Sequence, residues 1–206
     1  MRKLIVAAMT SLDGVIQAPG APDEDRSDGF PFGGWVVPYA GGDDGVMDGL
    51  FDRPFELVLG RRTYDIFAGY WPQVASDAPH GAIADAFNAA TKHVATHRPD
   101  TLAWAHSHAL DGDVVDALRA LKRTDGPDLV IQGSSVLLHQ LLARDVVDEL
   151  RLLVYPIVLG RGKRLFDDDA QAAAFRLAGT RATPTGVIVS RYEREGDVRT
   201  GSFAAG

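Results

Sequence analysis

The apolar positions of this chain fall into two alternating kinds of stretch. Short runs that are apolar at both odd and even positions recur at residues 3–9 (KLIVAAM), 55–59 (FELVL), 92–96 (KHVAT), 129–131 (LVI) and 149–159 (ELRLLVYPIVL). Such runs predict strands covered on both faces, as in a parallel sheet. Between them lie stretches with helical character at 63–70, 82–90 and 136–143, and one opened by Asp113. Ile83 and Phe87 stand four apart in the second. Leu137, Leu138, Leu141 and Leu142 give the third an apolar face. In the last, Asp113 is placed to cap the first turn, Asp116 suits that turn, and Val114, Leu118 and Leu121 form a stripe. Residues 43–51 predict a weak helix capped by Asp43 or Asp44. Residues 15–17 and 101–105 predict short strands. Residues 175–181 and 187–194 predict two antiparallel strands around Pro184-Thr185-Gly186. Strands alternating with helices, followed by a β-rich end, predict one α/β domain: a central, mostly parallel sheet flanked by helices, with antiparallel C-terminal strands. Residues 18–34 fit neither period. They are rich in Pro, Gly and Asp, and a loop this long in a compact domain is a candidate lid. The tail from Gly196 is predicted to fray.

Composition narrows the partners. The 206 residues are 46% hydrophobic and 24% charged, enough for one sizeable core. A net charge of −7 speaks against nucleic acid or an anionic membrane. The absence of cysteine excludes disulfides, thiolate zinc sites and cysteine nucleophiles. The first apolar run is broken at Thr10-Ser11-Leu12-Asp13-Gly14, too early for a signal sequence, and no run reaches membrane length. A cytoplasmic protein is expected. His93 with His97, and His106 with His108, lack a companion carboxylate signature, so no metal site is expected. There is no Gly-x-Ser-x-Gly elbow for a serine hydrolase.

Two glycine corners carry the candidate chemistry. At Gly60-Arg61-Arg62-Thr63 a buried strand turns into a helix, which gathers free backbone N–H groups and the positive end of a helix dipole at one point. Two arginines there add forks suited to phosphate. Two solvated arginines at a strand end are the plain alternative. Gly133-Ser134-Ser135 repeats the arrangement, and alone it is also an ordinary helix start. A pair of such corners on one sheet suits the two ends of a dinucleotide, which lies beyond the carboxyl ends of the strands. Neither a Rossmann fingerprint nor a P-loop is present.

Four stretches carry a family resemblance: KLIVAAMTSLDGVI (3–16), LVLGRRTYDIF (57–67), LVIQGSSVLLHQLL (129–142) and VDELRLLVYPIVLGRGKRLF (147–166). Together, over roughly residues 3–194, they resemble the dihydrofolate reductase superfamily. The likeness is closer to the reductase domain of riboflavin-biosynthesis enzymes (RibD C-terminal-like) and its stand-alone bacterial relatives. The resemblance implies a dihydrofolate reductase-like domain that binds NADP(H) and passes hydride to a small, pteridine- or pyrimidine-like substrate. Arg61, Arg62 and Thr63, after Gly60, would hold the 2′-phosphate side of the adenosine, with Thr96 near the ribose phosphate. Gly133, Ser134, Ser135 and Val136 would hold the pyrophosphate, and Ala8 and Ile16 would line the nicotinamide. One departure is Gln132-Gly133 where the superfamily commonly has Gly-Gly. A carboxylate on the helix before the Gly60 strand would supply the proton: Asp44, which could equally be a helix cap, with Asp48 one turn on beside the substrate. From the residues themselves, Asp13 is a substrate contact or a turn aspartate, and Trp35 and Tyr39 stack on a flat heterocycle or fill the core. The resemblance also implies a homodimer. A cofactor-binding protein without turnover is the alternative to a reductase. The deaminase half of the riboflavin enzymes needs zinc-binding cysteines that this chain lacks.

Overall fold

A computed structural model describes residues 1–40, 51 and 53–203. Its centre is an eight-stranded sheet. The strands are β1 (Leu4–Thr10), β2 (Phe55–Gly60), β3 (Lys92–Ala95), β4 (Ser107–Ala109), β5 (Asp128–Ile131), β6 (Glu149–Val154), β7 (Ala174–Ala182) and β8 (Ile188–Gly196). They lie in the order β4-β3-β2-β5-β1-β6-β8-β7. The first six in that order are mutually parallel, while β8 pairs antiparallel with both β6 and β7. The mostly parallel sheet with an antiparallel C-terminal edge is therefore observed. Among the described residues, no helix is long and apolar enough to cross a membrane.

Strand alternation splits the core between the two faces of the sheet. Leu4, Val6, Ala8, Val58, Leu129 and Ile131 face helices α3 (Val114–Lys122) and α4 (Ser135–Ala143). On the other face, Leu57, Leu59 and Val94 pack with Tyr64 of α1 (Arg61–Tyr70) and Phe87 of α2 (Gly81–Ala89). The remainder of that face, Ile5, Ala7, Val130 and Leu153, is covered by Val15, Phe30, Trp35 and Tyr155.

Three expected elements differ. The run 149–159 is strand only to Val154, because Pro156 lacks the N–H that would continue the ladder. The strand expected at 101–105 is displaced to β4, and a 3₁₀ turn at Pro99–Thr101 occupies part of its place. Residues 15–17 contribute a single bridge, Val15 to Arg164. In α3, Asp113 accepts from the Asp116 N–H as a cap at 3.0 Å, but the stripe is rotated by one residue: Val115 and Leu118 are buried, Val114 and Leu121 only half-buried. Nearly all of the helix expected at 43–51 lies outside the described residues.

Candidate functional site

The strands β2, β5 and β1 stand side by side, and their carboxyl ends form the site. The register pairs Val58 and Val6 with Ile131 from either side. Two residues further along each strand lie Gly60, Gly133 and Ala8. The Gly60 N–H donates to the Gly133 carbonyl at 3.4 Å, so the two corners adjoin. A Cβ on Gly60 would run into Ser134 Oγ, and would lie 3.1 Å from Ser134 Cβ and 3.2 Å from its backbone nitrogen. Gly133 has φ of 125°, and a Cβ there would meet Thr63 Oγ1 at 3.1 Å. Each glycine thus makes room for the residues of the other corner.

From this meeting point the chain departs to opposite sides. Helix α1 packs on the face of Leu57 and Leu59, and α4 on the face of Val58 and Ile131. Adjacent parallel strands whose helices leave on opposite faces open a crevice at their carboxyl ends, where ligands of open α/β sheets bind. The caps of α1 and α4, Gly60 and Ser134, make no side-chain cap hydrogen bond. First-turn N–H groups at both corners therefore lack the capping oxygen that commonly satisfies them. That arrangement fits a diphosphate. Ala8 is buried, and Ile16 packs half-buried against the same cluster, which also contains Leu137 of α4. The two apolar residues expected at a nicotinamide therefore share one cluster with α4.

At the other end of the crevice, Gly60 pairs with Ala95, which brings Thr96 to Arg61. Arg61 Nη1 donates to Thr96 Oγ1 (3.4 Å), to the Arg98 carbonyl (3.2 Å) and to Thr101 Oγ1. Its Nε donates to both oxygens of Asp65, at 2.9 and 3.0 Å. The Asp65 hydrogen bond raises the Arg61 pKa further, and the guanidinium stays charged. Arg62 points elsewhere, to Asp25 at 2.8 Å. Asp25 also accepts from Lys163 Nζ (2.7 Å) and from the Ser27 hydroxyl and N–H. Burial pushes the Asp25 carboxyl up, but the Lys163 and Ser27 bonds together outweigh it and hold it at about 2.

This hub organises the long loop. Gln17 donates to the Asp25 and Ser27 carbonyls and accepts from the Lys163 N–H; Trp35 Nε1 donates to the Gln17 carbonyl at 2.8 Å. Residues 18–40 form a strap tied to α1 through the Asp25–Arg62 ion pair. Trp35 is only 5% exposed and meets Tyr155 edge-on at 5.4 Å. It packs from the strap into the core with Phe30 and Tyr155, one of the two places expected for it. Asp13 accepts from the Leu159 and Gly160 N–H groups (3.0 and 2.9 Å) and from Ser11 Oγ (2.7 Å). Burial pushes its carboxyl up, but those three bonds win and hold it at about 2. It ties its own turn to the one at Leu159–Gly160, which agrees with the structural one of the two roles expected for it. Asp44 and Asp48 lie outside the described residues.

The sequence reading missed Asp25, Asp65, Arg98, Thr101 and Lys163. One signal was available: Asp65 stands four residues after Arg61, a helical ion-pair spacing. The others are joined only by the fold.

The mostly parallel eight-stranded sheet with its antiparallel C-terminal edge is a dihydrofolate reductase-like α/β fold, shared with the solved structures below. The chain belongs to the RibD C-terminal domain family, which matches residues 2–189. Two similar curated proteins, both described as uncharacterized, come from Bacillus subtilis (strain 168). YyaP is 23% identical over 195 residues (95% of this chain, 96% of YyaP). YwjB is 26% identical over 181 residues (87% and 91%). Among solved structures, a putative riboflavin biosynthesis protein from Shewanella sp. PV-4 shares the fold with a TM-score of 0.64 at 23% identity, covering 94% of this chain and 99% of the other. Dihydrofolate reductase from Enterococcus faecalis, complexed with NADP(H), does so at 0.57 and 16%, covering 93% and 96%. A pyrimidine reductase-like protein from Corynebacterium diphtheriae gives 0.54 at 16%, covering 95% and 93%.

Proposed function

We propose that this protein is an NADPH-dependent reductase that transfers hydride to a small heterocycle of pteridine- or pyrimidine-like chemistry. The observation that carries this reading is the contact between the two glycine corners, Gly60 against Ser134 and Gly133 against Thr63. One extended dinucleotide can lie across both. The family, and a fold shared with a reductase complexed with NADP(H), support the same reading.

In this reading the first-turn N–H groups of α4, with Ser134 and Ser135, hold the pyrophosphate, with Val136 at the same mouth. Arg61, Thr63 and Thr96 hold the phosphorylated ribose, and Arg98 joins them. Ala8 and Ile16 form the apolar floor under the nicotinamide, which supplies the hydride when bound. The strap over residues 18–40 excludes water from one side. Asp44 is the proposed proton donor, with Asp48 beside the substrate. The long edge strand β7, with Leu177 half exposed, supports a homodimer, which light scattering tests.

NADPH titration followed by nicotinamide fluorescence tests the cofactor. Saturable binding at micromolar concentration is expected, and its absence at high micromolar would remove the reading. Absorbance decay at 340 nm with dihydrofolate, the riboflavin pyrimidine intermediate and simple quinones then separates a reductase from a binding protein without turnover. Asp44→Asn is expected to lower kcat at least tenfold while leaving the NADPH affinity in place.

A further inference from the structure

We infer that Asp65 sets how strongly this site separates a 2′-phosphorylated adenosine from a plain one. The inference rests on the proposed nicotinamide cofactor and goes beyond it, because it concerns which form of that cofactor is favoured.

The geometry is specific. Asp65 lies one turn inside α1 and takes the Arg61 Nε with both carboxylate oxygens, at 2.9 and 3.0 Å. Arg98 Nη2 lies 3.7 Å from the same carboxylate. Arg61 Nη1 donates to Thr96, Thr101 and the Arg98 carbonyl. Both cations at the ribose end of the crevice therefore already face one carboxylate. The charges of Arg61, Arg98 and Asp65 sum to 2 − 1 = +1. A phosphate monoester carrying nearly two negative charges must share Arg61 with Asp65 or displace it. Displacement is open to it, because Asp65 is 46% exposed on its side chain and an exposed ion pair is weak. A ribose 2′-hydroxyl meets the opposite situation. It donates a hydrogen bond, and a carboxylate at the ribose is how other dinucleotide sites hold an unphosphorylated 2′-OH. Asp65 thus repels one ligand and can accept from the other.

The bland reading is a helical i, i+4 pair that stiffens α1 and touches no ligand. The two readings separate in a binding experiment that needs no substrate. Calorimetry is run with adenosine 2′,5′-bisphosphate and with 5′-AMP, on wild type, Asp65→Asn and Asp65→Ser, with thermal melts confirming that each variant is folded. Both variants are expected to bind the bisphosphate about 3- to 10-fold more tightly, since one nearby like charge is removed. Their affinity for 5′-AMP is expected to stay level or fall, and the gain is expected to shrink as salt is raised. Equal changes for both nucleotides, or a bisphosphate affinity that does not rise in either variant, overturns the role of Asp65 and leaves the cofactor reading standing. If wild type binds neither nucleotide nor NADPH, the cofactor reading falls and takes this inference with it.

Discussion

Single residues decide whether the crevice exists. Gly60 is one of them, because the atoms an added methyl would meet belong to Ser134, on the neighbouring corner. Gly60→Ala is expected to destabilise the fold by about 1–3 kcal/mol through overpacking, read as a lowered denaturant midpoint. Adding Ser134→Gly is expected to recover part of that loss; no recovery would show that the strain lies elsewhere. Lys92, at the amino end of β3 and away from the crevice, is a constrained position of another kind. It is 0% exposed, with Nζ donating to the carbonyls of Asn88 (2.8 Å) and Ala105 (3.0 Å), and lying 4.3 Å from the centre of the Trp104 ring. Burial pushes its pKa down to about 8 from 10.5. The unfolded chain therefore binds more protons than the folded one between those values, and stability from this group rises with pH across that window. Relative to Lys92→Met, wild type should gain on the order of 2 kcal/mol between pH 8 and 10, measured from urea midpoints at each pH. A flat difference would mean that Lys92 keeps its full charge in the fold.

At the scale of elements, the strap over residues 18–40 depends on Asp25. Its folded pKa of about 2 lies below the ordinary carboxylate value of 3.8. The stability this provides is complete above about pH 4 and is lost as pH falls toward 2. Asp25→Asn should therefore expose the strap to limited proteolysis at neutral pH, whereas wild type should become susceptible only in acid. Identical cleavage patterns at pH 7 would show that Lys163 and Gln17 hold the strap without it. Helix α3 offers a simpler check: Asp113→Ala removes the cap on the Asp116 N–H and is expected to cost about 1 kcal/mol, visible as a shift in melting temperature.

At the scale of the whole molecule, the proposed cofactor ties two sheet faces together, since α1 and α4 lie on opposite sides. A ligand gripped by both should stabilise the entire domain. NADPH at a hundredfold excess over its Kd is expected to add about 2.7 kcal/mol. For a domain of this size, each kcal/mol raises the melting temperature by about 2–4 °C. NADPH without effect in the melt at a hundredfold excess over the Kd found by fluorescence would show that the fluorescence change does not report binding to the folded domain.

The order of strands and helices, the parallel character of the sheet and the two glycine corners were all legible in the chain. Continuous apolar runs and glycine at a strand end are local patterns, set by the period of each element and by backbone freedom. The chain also presented its limits locally, as at Pro156, where a missing N–H shortens a strand that hydropathy alone extends. Trp35 was not legible in this way: its character as core or stacking platform depends on Tyr155, 120 positions away, and on the Gln17 carbonyl. Nor were the partners of the two arginines. Arg61 and Arg62 are neighbours in sequence, yet one turns to Thr96 and Asp65 and the other to Asp25. The sequence by itself determined which segments become strands, helices and anion-accepting corners. Only the tertiary structure decided that Gly60 touches Ser134 and that a single carboxylate joins Arg62 to Lys163, because such contacts are fixed by the lateral order of strands and the face each helix takes, and neither is written in any one stretch of chain.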